Sequence, residues 1–286
     1  MIPLNRRPQL RRIQVKWNRR DGIVNSFWHG GRLTWIERAC MRSFLDKGIK
    51  FRLYAYGELD GVPDGVQLED AAEILPETAI ITYQGDDLPE AKGTPALFSN
   101  LFRYELQRLG KGLWVDCDFY CLKPFRFSRM PFVFGYQHNR TIDGAVNTAV
   151  LKLPKDSRIL ADLIKLYQPP YSIPPWVFQD HRARLAKQWG SEDVHPSYLP
   201  WGSFGPKALT ALIWRHGLEE HILGRDRFYP ITVADIEKMF DPAVDCADFF
   251  SPRTFGVHLW NNEIRHRAAE TPPEGSFAHR LWLEGQ

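Results

Sequence analysis

The chain has 286 residues, 44% of them hydrophobic and 25% charged, with a formal net charge of +3. These are the proportions of an ordinary globular protein long enough to bury a sizeable core. No run of eighteen apolar residues occurs, which excludes a membrane-spanning helix. The four cysteines, Cys40, Cys117, Cys121 and Cys246, are too few and too irregular for a disulfide framework or a cysteine zinc site, and they fit a reducing cytoplasm.

The positive charge is uneven. Arg6, Arg7, Arg11, Arg12, Lys16, Arg19 and Arg20 crowd residues 1–20. They read as a basic N-terminal arm ahead of a single domain over 21–286. No apolar stretch follows them, so they do not read as a secretory signal. The simplest reading of such an arm is a solvated, loosely ordered terminus; its charge would also suit peripheral contact with an anionic membrane surface at the inner face, or with an acidic glycan, and nucleic acid is not expected as the partner.

After the arm, IVNSFWHGG reads as a short buried strand ending in a glycine pair, where backbone can turn sharply or approach a ligand. A helix follows: Thr34 and Glu37 have capping-box spacing, Ile36, Ala39, Cys40 and Phe44 share a face, and Gly48 marks the stop. FRLYAY alternates as a strand. The opening is therefore strand, helix, strand, with FWHGG at a carboxyl end, where α/β sheets bind ligands. Residues 57–95 read as loops around a small helix in DAAEIL.

Pro95 opens a helix over ALFSNLFRYELQRLG, with a broad apolar face and a polar stripe of Asn100, Arg103 and Gln107. LWVDCD then reads as an apolar strand ending in two acids. Further strands are expected in FVFGY, AVNTAVLKL and TFGVHLW, and helices in SRILADLIKLY and PKALTALIWRHG, with a Pro- and Trp-rich stretch to Gly205. This alternation predicts an α/β fold with a loop-rich C-terminal half.

In an extended strand, residues two apart point the same way, so Asp116 and Asp118 are expected to present their carboxylates together. Two adjacent carboxylates repel unless a cation joins them. A hard divalent ion, Mn²⁺ or Mg²⁺, would relieve the repulsion and leave sites open for phosphate oxygens. Surface capping is the rival reading for such a pair taken alone.

PALFSNLFRYELQRLGKGLWVDCDFYCLKPF resembles the DXD region of sugar transferases of the GT-A fold, in which a helix of the form S-D-x-x-R-Y leads through a glycine turn into a strand ending Asp-x-Asp. The resemblance is to the bacterial and fungal family that includes the yeast initiating outer-chain mannosyltransferase, and more distantly to the catalytic domains of large clostridial cytotoxins. FWHGG resembles the first-strand x-W-x-G-G motif of the same group. The fold implied is a mostly parallel central sheet flanked by helices, with a donor-binding half over about 21–130 and an acceptor side over about 131–286. The activity implied is hexosyl transfer from a nucleotide-sugar, a UDP-sugar first, to a glycan, lipid-linked sugar or protein acceptor, as in polysaccharide biosynthesis.

The resemblance also implies roles. Trp28 would stack on the base beside the Gly30 and Gly31 turn, Arg103 would reach the donor's phosphates or sugar, Asp116 the ribose or sugar and the metal, and Asp118 the metal. Asn100 stands where the family has aspartate, which puts donor choice in doubt. His258 is the candidate third metal ligand, with Asn261 as substitute. Asn147, with Asp143 nearby, would lie beside the transferred sugar, and Trp201, Gly205 and Trp260 would border the acceptor. Retention of configuration is implied, with the leaving phosphate taking the acceptor's proton.

Three rival readings are open to these residues. A redox pair at Cys117 and Cys121 has the wrong spacing. A phosphatase with an Asp-x-Asp nucleophile needs that motif after the first strand, not in mid-chain. A catalytically impaired nucleotide-sugar or glycan-binding protein is the alternative that Asn100 keeps open.

Overall fold

A computed structural model describes residues 22–124, 127, 129–138 and 145–286. The basic arm at 1–20 and Asp143 lie outside the described residues. The elements are β1 (Ile23–Phe27), α1 (Trp35–Leu45), β2 (Lys50–Ala55), β3 (Gln67–Asp70), α2 (Ala96–Arg108), β4 (Leu113–Val115), β5 (Phe119–Cys121), β6 (Val133–Tyr136), β7 (Val146–Lys152), α3 (Arg158–Lys165), α4 (Gln179–Trp189), α5 (Pro206–Arg215), β8 (Ile222–Leu223), β9 (Gly256–His258), α6 (Asn261–Ile264) and α7 (Phe277–Glu284).

Seven strands form one sheet in the order β3-β2-β1-β4-β7-β6-β8, and β5 and β9 form a second, two-stranded sheet. In the large sheet β1/β2, β1/β4, β2/β3 and β6/β8 run parallel, while β4/β7 and β6/β7 run antiparallel. The fold is thus the expected α/β class with a mostly parallel central sheet flanked by helices. No helix of the described residues is long and apolar enough to cross a membrane.

Both faces of the sheet are covered. Phe27, Tyr54 and Trp114 pack with Phe98, Phe102, Leu160 and Leu209 of α2, α3 and α5 on one side. Val24, Leu53 and Val115 pack with Phe44 of α1 on the other. A further apolar group joins α1 and α7 to the small sheet through Ile36, Tyr120, Val257 and Leu281. Burial of this apolar area is the main favourable term holding the layers together.

The chain runs outward from β1 through β2 to β3, then returns to place β4 on the opposite side of β1. The carboxyl ends of β1 and β4 therefore flank a topological switch point, where the loops diverge and leave a crevice. Two buried polar side chains of β1 tie these strands together. Asn25 Nδ2 donates to the carbonyls of Lys111 and Leu113 at 3.1 Å each, and Ser26 Oγ donates to the Val115 carbonyl.

Several expectations need correction. QLED forms edge strand β3 where only loops are predicted, and DAAEIL makes a single 3₁₀ turn, Ala71–Glu73, capped by Asp70 rather than a helix. The Pro- and Trp-rich stretch contains α4. Within the polar stripe on α2, Arg103 and Gln107 are buried. Gln107 Nε2 donates to the Gly112 carbonyl and its Oε1 accepts from the Leu153 amide, fastening α2 to β7.

Candidate functional site

Asp116 and Asp118 do not sit in an extended strand. β4 ends at Val115, and Asp116-Cys117-Asp118 forms a turn closed by the Phe119 amide donating to the Asp116 carbonyl at 3.0 Å. The turn then enters β5, which pairs with β9 so that Phe119 lies opposite His258. The motif therefore bridges the large and small sheets. That bridging, rather than strand alternation, brings the carboxylates and the imidazole together.

One ligand atom from each of Asp116, Asp118 and His258 lies within 4.8 Å of the others. His258 Nε2 is 3.3 Å from Asp118 Oδ2. His258 Nδ1 is buried without a hydrogen-bond partner among the described residues. Two carboxylates and an imidazole make an oxygen and nitrogen donor set suited to a divalent ion, and the group fits a possible metal site.

The charges are balanced individually. Burial pushes the Asp116 carboxyl above the usual carboxylate range, and the guanidinium of Arg103 opposes that shift. Burial acts the same way on Asp118, but His258 and the Asn261 amide outweigh it and hold that carboxyl below the usual range. Burial works against a charged His258, and the adjacent Asp118 overcomes it, so the imidazole is raised.

Arg103 has a protein partner. Its Nη1 lies 3.1 Å from Asp116 Oδ1 and donates to the Thr148 carbonyl at 2.8 Å, while Nε and Nη2 donate to the carbonyl and hydroxyl of Ser99. Its guanidinium lies over the Trp114 ring, 4.9 Å from the centroid. The same Asp116 oxygen accepts from Trp114 Nε1 at 2.6 Å.

The other wall comes from the C-terminal segment. Trp260 has φ +56° and ψ +51°, the left-handed region that a bulky residue enters at a cost. The twist is held by packing. The Trp260 ring stands edge-on to His258 at 4.5 Å, and its Nε1 donates to the Ile231 carbonyl at 3.0 Å. As a result the Asn261 amide donates to Asp118 Oδ2 at 2.7 Å. The Asn261 side chain, the expected substitute ligand, donates through Nδ2 to Glu37 Oε1 at 2.9 Å.

Glu37 is the residue that sequence patterning undervalues. The capping box is present: the Thr34 amide and hydroxyl donate to Glu37 Oε2 at 2.8 and 2.6 Å. Its other oxygen accepts from the side-chain Nδ2 of Asn261, 224 residues away. The helix cap and the segment over Asp118 thus share one buried carboxyl. Glu37→Ala is expected to cost about 1.5–3 kcal/mol and to speed hydrogen exchange of the Asn261 amide, whereas Thr34→Ala should cost about 1 kcal/mol and leave that amide protected. Equal exchange in both variants would reduce Glu37 to a cap.

All of this lines one cleft of about 740 Å³, within the range of small-molecule sites. Trp28, Asn100, Arg103, Asp116, Asp118, Asn147, Trp201, His258, Trp260 and Asn261 all border it. The glycines act through the backbone. Gly30 has φ +137°, which favours glycine, while Gly31 is not so constrained. At Gly205 a Cβ would stand 3.0 Å from Asn100 Nδ2, so the bare Cα lets that loop close on α2.

No protein-family model matches this chain, and no curated protein matches it. Among solved structures, one titled PaToxG glycosyltransferase is similar over 70% of this chain and 72% of its own, at 12% identity and a TM-score of 0.35. A similarity this distant assigns no residue.

Two candidates are more engaged than their sequence suggests. Asn147 is buried in β7, its Nδ2 donating to Gln137 Oε1 at 2.5 Å and its Oδ1 accepting from the Ala149 amide at 2.7 Å. The Trp201 amide donates to Asp87 Oδ2 at 2.9 Å, and its ring meets Tyr83 edge-on at 5.3 Å. Trp28 differs: its Nε1 is buried with no partner among the described residues.

Proposed function

We propose that this protein is a metal-dependent glycosyltransferase of the GT-A type, moving a hexosyl group from a nucleotide-sugar, a UDP-sugar first, to a glycan, lipid-linked sugar or protein acceptor. The observation that carries the reading is the convergence of Asp116, Asp118 and His258 in a large cleft at the switch point of a mostly parallel sheet.

In this reading those three side chains hold Mn²⁺ or Mg²⁺, which when bound offsets the negative charge gathering on the departing diphosphate. Arg103 fixes Asp116 in place and keeps a positive charge beside the diphosphate. Trp28 offers its ring to the base, and Gly30 lets the backbone turn close to it. Asn100 and Asn147 face the transferred sugar, while Trp201, Gly205 and Trp260 border the acceptor. Among the described residues no side chain is an obvious nucleophile, so retention would proceed by same-face attack, with the leaving phosphate accepting the acceptor's proton. The arm at 1–20 would give peripheral contact with the inner membrane face from the cytoplasm.

The test is a screen of UDP- and GDP-sugars by calorimetry and donor hydrolysis, with and without Mn²⁺. Metal-dependent binding and hydrolysis of one donor class is expected. Hydrolysis at full rate in excess EDTA, or no binding of any nucleotide-sugar, would overturn the reading.

Trp28→Ala separates base stacking from chemistry. Loss of one base-aromatic stack is worth about 1–3 kcal/mol, so nucleotide affinity should fall roughly 5- to 150-fold while turnover at saturating donor changes little. Unchanged affinity with collapsed turnover would reassign Trp28.

A further inference from the structure

Beside the cleft, α4 ends at Trp189, where Gly190 turns the chain in the left-handed region at φ +66°. Trp189, 41% exposed, is thereby left against Tyr198, 39% exposed, with ring centroids 4.7 Å apart and planes inclined at 51°. Solvent contact on two large neighbouring rings is a cost that folding alone does not require. Gln84, Asp86, Arg184 and Gln188 surround them. The side chains of Arg184 and Gln188 have no hydrogen-bond partner among the described residues.

Apolar ring faces bordered by a guanidinium, amides and a carboxylate match the two sides of a pyranose. Its C–H face lies on an aromatic ring, and its hydroxyls take and give hydrogen bonds at the edge. The depression between these residues is shallow, with a cavity of only about 20 Å³, room for about one water. It cannot enclose a free small molecule. A ligand there has to be held elsewhere as well.

The cleft supplies that second hold. Pro200 lines both the depression and the cleft. Asp87 joins them, since it accepts from the Trp201 amide on the cleft side and from the Tyr83 hydroxyl. The Gln84 amide donates to the Ser197 carbonyl at 2.7 Å, fixing this strand of loop to the turn that carries Tyr198. The two surfaces are therefore one continuous, cross-linked wall.

We infer that Trp189 and Tyr198 form an outer sugar-binding platform for an oligosaccharide acceptor whose reacting end lies in the cleft. This rests on the glycosyltransferase reading for the reaction but not for the binding. It narrows the acceptor to a glycan several residues long.

The experiment titrates the protein, without donor, with linear glucan, mannan, galactan and chitin-type hexasaccharides and with the matching monosaccharides. Binding is followed by calorimetry and saturation-transfer NMR. At least one hexasaccharide should bind more tightly than its monosaccharide, and Trp189→Ala with Tyr198→Ala should weaken it at least ~5-fold. Both rings are exposed, so nucleotide-sugar hydrolysis in the double variant should match the parent. If no hexasaccharide binds, or if the double variant binds one as well as the parent does, the platform is overturned. Ring-dependent hexasaccharide binding without any nucleotide-sugar hydrolysis would instead remove the transfer reaction and leave the platform standing.

Discussion

Replacing Asp118 by Asn is expected to abolish metal-dependent turnover in a protein that still folds. The asparagine keeps the shape and can still accept the Asn261 amide, now 2.7 Å from Asp118 Oδ2. It removes one of the two charges that would hold a divalent ion, and hard cations depend on charged oxygen ligands. Changes to groups that merely support metal ligands cost about 10- to 100-fold in affinity, so loss of a ligand itself should exceed ~100-fold. Folding should suffer far less. The exchange removes a charge lying next to Asp116, whose carboxyl is already raised by burial. Mn²⁺ titration, donor hydrolysis and thermal unfolding on the same preparation separate the effects. Native metal affinity in a folded Asp118→Asn protein would remove the metal site from the proposal.

How much of this was legible in the sequence depends on the range of the contacts involved. Local rules succeed where the partner is near. The Thr34 and Glu37 box, the helix after Pro95 and the parallel opening of β1 and β2 all follow from spacing and periodicity. β3 is missed because its half-exposed polar sequence QLED has no apolar alternation to display. α4 is missed because Leu185 is its only buried residue. The acidic pair is legible, but its geometry is not: a turn between two sheets, and not strand alternation, brings the carboxylates together, and the turn depends on β9 arriving opposite β5. The left-handed Trp260 and the link from Glu37 to Asn261 leave no local signal at all, because both are imposed by segments far away in the chain.

Arg103→Lys is expected to lose transfer although the net charge is unchanged. The guanidinium is 5% exposed and sits between four protein acceptors: Asp116 Oδ1, the Thr148 carbonyl, and the carbonyl and hydroxyl of Ser99. A planar fork can meet acceptors on several sides at once, whereas an ammonium on a flexible stem cannot reproduce that span. With lysine, Asp116 keeps a cation nearby but loses its fixed orientation beside Trp114. Truncating one member of a buried, hydrogen-bonded charge pair costs about 2–5 kcal/mol, against ~1 kcal/mol or less for an exposed pair. On that scale kcat/KM should fall at least ~30-fold. Stability should fall too, and more steeply in Arg103→Met, which leaves the half-buried Asp116 carboxylate without a cation. A double variant, Arg103→Lys with Asp116→Asn, tells whether the arginine acts through the aspartate. If it does, Arg103→Lys should add little to the loss that Asp116→Asn already causes, because the two residues form one unit. Full additivity would mean that Arg103 works on the ligand directly, and near-native transfer by a folded Arg103→Lys protein would confine the residue to holding α2 against β7.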